Sequence, residues 1–324
     1  MQDIPELDHR RVRQVFFPFV DERSTFVEQS RRRFAYYTSA DTAFKVVLSR
    51  EIWMRSTSTM NDYLETQHGF DCLNRAYISA AGARFNAALE AIFPVISGEI
   101  LSLFNDWLPK IRTDSYIACL SEHLDEEDDH GRLSMWRAYG RRAGVALIIN
   151  PDVMFLENPK LGIVASPVAY WTDQQVEAEL DRVADRIREN EDFVFSLGRD
   201  WTKATIFALF RFLVLCTKHP GFEEEREWRI IASPQMMPSP ITKQSIEAIG
   251  GHPQIVQKIQ LRDIPEIGIA GIDLSTILSR IIVGPCEYPF AVAAALTELT
   301  ARVFESSPRP TIQVSQIPLR TAAQ

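Results

Sequence analysis

Cysteine is scarce in this sequence. Its four residues, Cys72, Cys119, Cys216 and Cys286, stand far apart and form no C-x-x-C pair. That spacing excludes a disulfide framework and a cysteine zinc site, and it suits a reducing compartment. Long apolar runs are also missing. The longest, Ile206 to Cys216, is broken by Arg211, whereas a bilayer span takes about 20 apolar residues. The run reads as a buried core helix, and the chain is expected to be soluble and cytoplasmic, with no membrane partner. Met1 leads directly into Gln2-Asp3-Ile4-Pro5, without the basic and apolar zones of a signal peptide. Positive charge is not in excess: 35 Lys and Arg face 43 Asp and Glu, a net charge of −8. A general nucleic-acid coat protein needs the opposite balance. Arg10-Arg11 and Arg31-Arg32-Arg33 concentrate charge locally and read as solvated helix faces. P-loop, G-x-G-x-x-G, H-E-x-x-H and G-x-S-x-G motifs are absent, and six scattered histidines form no metal set.

What is present belongs to an ordinary globular chain, 46% apolar and 24% charged over 324 residues. Residues 1–33 read as an N-terminal helical segment. Phe34-Ala35-Tyr36-Tyr37 reads as a strand, Ser39 as the cap of a helix with Ala40, Phe44, Val47 and Leu48 on one face, and Ile52 to Arg55 as a second strand. Further strands are expected at Tyr116 to Leu120, Gly144 to Ile149, Gly162 to Tyr170, Arg226 to Ile231, Arg280 to Val283 and Ile312 to Val314. Helical periodicity marks Phe85 to Phe93, Leu101 to Leu108, Val176 to Ile187, Trp201 to Cys216 and Val292 to Val303. Strands scattered between unequal helices predict an α+β fold. Residues 34–317 then form one domain with helical insertions at about 61–112 and 173–217. The run Glu122 to His130 carries six carboxylates but lacks the glycine and alternate-residue spacing of a hard-cation loop, so it reads as a solvated, mobile loop.

Three polar clusters stand at strand ends, where scaffolds present functional groups. They are Tyr36-Tyr37-Thr38, Arg55 to Thr59 with Asn61-Asp62, and Glu225-x-Glu227 running into Trp228-Arg229. Each has a plain structural reading as well: a rim tyrosine, a capping turn, a salt-bridged strand face. Read as one strand, Glu225 and Glu227 share a face, roughly 6.5–7 Å apart at the backbone.

Several of these residues resemble an uncharacterised bacterial family, domain of unknown function 2971. The resemblance runs through Tyr36-Tyr37-Thr38-Ser39, Ile52-Trp53-Met54 and Asn61-Asp62. It continues in Ile117 to Ser121, Met135-Trp136, Tyr139, Gly144 to Leu147, Lys218, Glu225-x-Glu227-Trp228-Arg229 and Ile281 to Pro285. It extends from about Phe34 to Pro285, with Tyr63 where a proline usually follows the aspartate. More distantly, Tyr37-Thr38, a strand ending in Ser56-Thr57-Ser58 and a late E-x-E resemble the three-part signature of ADP-ribosyltransferases. Tyr37 stands where those enzymes carry Arg or His, and Arg33 or Arg55 offers charge in its place.

The second resemblance implies a split, mostly antiparallel central sheet surrounded by helices. It also implies an enzyme that takes NAD as substrate, cleaves the nicotinamide–ribose bond and modifies a nucleic-acid or protein acceptor, in a toxin or phage-defence setting. Positive charge develops on the ribose in such a reaction, and a carboxylate stabilises it. By this resemblance Glu227 binds the ribose and Glu225 aligns the acceptor, or the two exchange these roles. Tyr37, Thr38, Ser56, Thr57, Ser58, Asn61, Asp62, Trp136 and Tyr139 line the cofactor site, and no metal is required. Two other readings stand beside it: a metal-dependent nuclease on Asp62, Glu225 and Glu227, and a non-catalytic nucleotide-binding sensor.

Overall fold

The sheet that carries most of the expected strands forks at its third one. In the computed structural model, which describes residues 8–59, 63–140, 142–156, 158–249, 251–305 and 307–318, the chain forms two compact units. One comprises residues 27–59, 115–165 and 224–324; the other comprises 1–26, 60–114 and 166–223, so the expected insertions fall in the second.

The first unit is built on a sheet of ten strands. They are β1 (Arg33–Ser39), β2 (Glu51–Ser56), β3 (Tyr116–His123), β4 (Gly144–Ile149), β5 (Ile163–Pro167), β6 (Glu227–Ala232), β7 (Thr242–Ile249), β8 (His252–Gln260), β9 (Leu278–Val283) and β10 (Thr311–Val314). All pairs whose register is defined are antiparallel except β9 with β10. Strand β6 pairs along β3 from Tyr116 to Ser121. On the opposite edge of β3, β1 takes the far end (Ala35 opposite Ser121) and β2 the near end (Ser56 opposite Tyr116). Beyond these short pairings β1 continues against β4, and β2 against β8. The fold is α+β with a forked, mostly antiparallel sheet.

Alternation along the strands sorts side chains onto two faces. Phe34, Met54, Tyr116, Ala118, Leu120, Val145, Leu147, Trp228 and Ala232 join one large core. Helices Ala40–Ser49 and Pro289–Val303 cover it with Val46, Val47, Leu296 and Leu299. Ser39 caps the first of these helices by accepting the Thr42 N–H, as its position predicts. That helix closes on Arg50, a left-handed residue (φ 55°), which turns the chain into β2. On the other face Ala35, Tyr37, Ala146, Ile148 and Ile282 meet Met135 and Trp136 of helix Leu133–Tyr139 in a smaller core.

The second unit is helical, with two short parallel strands, Ala169–Tyr170 and Thr217–Lys218. Helix Arg199–Cys216 buries nearly every residue after Thr205, and Arg211 within it is only 9% exposed. The expected core helix is therefore one. Among the described residues no single helix is long and apolar enough to cross a membrane.

Candidate functional site

Register places Ser121 of β3 directly opposite Glu227 of β6, and Cys119 opposite Arg229. Cross-strand partners project to the same face. Trp228 belongs to the large core, so Glu227 and Arg229 lie on the other face, the one that holds Tyr37 and Trp136. Glu227 is 6% exposed and Arg229 3%. The Arg229 Nε donates to Glu227 Oε1 at 2.7 Å. Two residues apart on one strand face, the pair forms a buried ion bridge, which fixes the carboxylate in place.

The turn ahead of Glu227 is clamped by Arg132, itself buried. One guanidinium nitrogen, Nη1, donates to Ser121 Oγ (2.8 Å) and to the carbonyls of Glu224 (2.9 Å) and Glu225 (3.2 Å). Nη2 donates to the Glu122 carbonyl (2.7 Å) and to Glu127 Oε2 (3.1 Å), and Nε to Glu127 Oε1 (2.8 Å). The fork of a guanidinium suits such multiple donation, which an ammonium cannot reproduce. Ser121 Oγ donates onward to the Glu225 carbonyl. Between the turn and β6, Arg226 adopts φ 46°, a conformation costing a β-carbon residue roughly 1–2 kcal/mol. Its carbonyl accepts the Glu122 N–H at 2.9 Å, which anchors the strained residue to β3.

The acidic run is correspondingly not a free loop, contrary to its composition. Glu127 is held by Arg132 and by the Leu124 N–H (3.0 Å). Burial pushes its carboxyl up, yet these partners outweigh burial and hold it below the usual range. Asp128 meets Arg33 at 2.9 Å and Arg280 at 3.4 Å, and it bonds His123 Nε2 at 2.9 Å. Burial raises its carboxyl too, and Arg33 and His123 reverse the sign. His123 is fully enclosed, and burial lowers its pKa. Arg33 and Arg280, distant in sequence, neutralise Asp128, and Arg132, just past the run, neutralises Glu127.

Tyr37 connects this network to the small core. Its hydroxyl accepts the Arg132 backbone N–H at 2.9 Å. Burial, with Glu127 adding to it, pushes the phenol up to about 12. The ring meets Trp136 edge-on, 4.8 Å between centroids. Trp136 is 4% exposed, and its indole N–H donates to the His130 carbonyl at 2.8 Å. Three glycines crowd it: a β-carbon on Gly131, Gly144 or Gly284 would lie 2.5, 3.0 or 2.7 Å from ring atoms. Trp136 is thus a packing residue, and Tyr139 packs half-buried against the same small core.

The sequence-derived site residues divide accordingly. Tyr37, Trp136, Tyr139 and Glu227 come to one face. Thr38 lies on the opposite face of β1 and hydrogen-bonds Tyr36. Ser56 pairs with Tyr116, five positions from Ser121 along β3, about 16 Å at the usual rise per residue. An odd separation also puts Ser56 on the face of the large core. Its hydroxyl lies 2.8 Å from Ser58 Oγ and accepts the Ser58 N–H, and the Thr57 N–H donates to Ser115 O at 3.0 Å. These residues make a self-satisfied turn, Thr57–Thr59 being a 3₁₀ turn. Glu225 is not on a strand: it closes the 3₁₀ segment Pro220–Glu225, and β6 begins at Glu227. The strand spacing expected between the two carboxylates therefore does not apply. Asn61 and Asp62 lie outside the described residues.

Sequence reasoning missed Ser121, Glu127, Arg132 and Arg229 as site residues. The only local hint is Arg132 at the close of an acidic run, and its partners become visible only when β3 and β6 pair. Among the described residues no group of three His, Cys, Asp or Glu is arranged to hold a metal ion.

A family described as "Protein of unknown function (DUF2971)" matches residues 135–230. That stretch is narrower than the resemblance read from Phe34 to Pro285. It contains Trp136, Gly144, Glu225, Glu227 and Arg229, and it excludes Tyr37 and Ser56 to Ser58. No curated protein and no solved structure matches the chain.

Proposed function

We propose that the protein is an NAD-consuming enzyme of ADP-ribosyltransferase type, with Glu227 as its principal carboxylate. The observation that carries this reading is the placement of Glu227. It opens β6 beside the strand at which the sheet forks, on the same face as Tyr37, and Arg229 fixes it there. In this reading the bond from ribose C1′ to the nicotinamide nitrogen breaks, and its electron pair leaves with nicotinamide. A hydroxyl or amine of a nucleic-acid or protein acceptor then bonds C1′ and releases its proton. The Glu227 carboxylate stabilises the positive charge that builds on the sugar. Glu225, in the clamped turn, aligns the acceptor. Incubating the purified protein with NAD, with and without nucleic acid or cell lysate, tests the reading: free nicotinamide supports it, and its absence under every condition removes it.

A second reading, a nucleotide-holding module without turnover, is favoured by one observation. Each nitrogen of the Arg132 guanidinium already bonds protein acceptors, and Glu227 already has Arg229. Tight nucleotide binding with no nicotinamide release would select it.

A further inference from the structure

On the helical unit, several arginines are matched with carboxylates. Arg13 meets Asp21, Arg84 meets Asp181, Arg182 meets Glu22, and Arg188 meets Asp185. One concave region breaks this pattern. A cavity of about 360 Å³ is walled by helix His9–Phe16 and the C-terminal end of helix Asp173–Glu189, and Arg10, Arg11 and Arg186 all line it. Among the described residues the single carboxylate in its wall, Asp8, caps the first helix by accepting the Arg11 N–H at 2.9 Å.

Among the described residues the guanidinium of Arg11 has no acidic partner. It lies 4.4 Å over the Phe193 ring, and Nη2 donates to Asn190 Oδ1 at 3.4 Å. Asn190 is fixed in turn, its Nδ2 donating to the Arg186 carbonyl at 2.9 Å. Arg186 keeps only a loose contact with Glu189, 3.6 Å between exposed groups. Converging three cations on one concavity costs repulsion, and this chain carries a net charge of −8 with acidic residues to spare. An anion of high charge density offsets that repulsion, and guanidinium forks match phosphoryl oxygens in pairs. The volume falls within the range of small-molecule sites, about 300–1,000 Å³.

We propose that this cavity binds the phosphoryl groups of a small anion, a nucleotide or a free polyphosphate. The site is separate from Glu227 and does not rest on the NAD reading. Titration calorimetry on the full chain tests it, with inorganic pyrophosphate and ADP as probes and Arg11→Gln and Arg186→Gln as variants. Both side chains are exposed, so an unchanged melting temperature verifies that the variants fold. Saturable pyrophosphate binding that each variant weakens about tenfold, the scale of one lost charge-assisted pair, and that Glu227→Gln leaves unchanged, is expected. Tighter binding of ADP than of pyrophosphate would identify a nucleotide; equal binding would identify a free polyphosphate. No saturable binding up to about 10 mM, weaker than any specific site of this kind, would overturn the proposal. So would equal affinity in the arginine variants, or binding of single-stranded RNA while neither small anion binds.

Discussion

The Tyr37 hydroxyl accepts its hydrogen bond from the Arg132 backbone, while the Arg132 side chain grips the turn that delivers Glu227. One residue thus ties β1, the acidic run and the start of β6 to each other. Replacing Arg132 by Lys keeps a charge and loses the fork, leaving Glu127 and several carbonyls short of donors. Stranding buried acceptors in this way costs about 1–3 kcal/mol. Urea denaturation should show that loss, and a cost under about 1 kcal/mol would mean that water replaces the clamp.

Tyr37→Phe removes only the acceptor of the Arg132 N–H. A stranded buried donor costs about 1–3 kcal/mol, and the small core keeps its shape. Wild-type stability should also decline at high pH. The folded phenol titrates at about 12 against an ordinary 10.0, so above pH 10 the unfolded chain sheds a proton that the folded one keeps. Unfolding is then favoured as pH rises through that window. The phenylalanine variant should lose part of this slope; an identical slope would mean that other groups, Tyr36 among them, cause it.

Gly284→Ala puts a methyl 2.7 Å from Trp136 Cε3. The backbone, held by the Gly284 N–H to the Gly144 carbonyl, and the enclosed indole leave little room to yield, and overpacking of this kind costs about 1–3 kcal/mol. Trp136 emission and near-ultraviolet circular dichroism should shift with the drop in melting temperature. Gly98→Ala meets nothing within 4 Å and serves as the silent control.

Acid should destabilise the chain in two steps. His123 has an ordinary pKa of 6.5 that burial lowers in the folded state. Below pH 6.5 the unfolded chain therefore takes up a proton that the folded one refuses, and stability falls. Glu127 and Asp128 are held below 4.5 and 3.8, so their contribution is lost further down, as pH drops through those lowered values. His123→Asn should flatten the first step, below pH 6.5, and trim the second, because Asp128 loses its bond from His123. Melting curves across that range decide the point, and an unchanged first step would assign it to another histidine.

Much of the fold is legible in the sequence because its strands and helices carry their own period. Strand β4 runs over Gly144–Ile149 as expected, and the Ser39 cap, helix Arg199–Cys216 and helix Pro289–Val303 follow from local pattern. The β7–β8 hairpin is absent from the expected strands because Ile246, Ile249, Ile255, Val256 and Ile259 keep no period of two. The fork is another matter. It depends on β1 and β2 sharing one edge of β3, a relation between segments some 60–90 residues apart in the chain. The same holds for the site. Glu227 and Tyr37 stand out as residue types at strand ends, but Arg132, Ser121 and Glu127 acquire meaning only through pairing. Ser56 to Ser58 look equally functional in one dimension, and strand parity places Ser56 on the other face.

The most direct test of the central claim, that the reacting face is the one shared by Tyr37 and Glu227, compares nicotinamide release from NAD by the wild type, Glu227→Gln and Ser56→Ala. The account predicts release by the wild type and by Ser56→Ala at similar rates, and at least a hundredfold loss in Glu227→Gln, about the scale of one lost electrostatic stabiliser, with its melting temperature within a few degrees. Full activity in Glu227→Gln, or loss confined to Ser56→Ala, would contradict it.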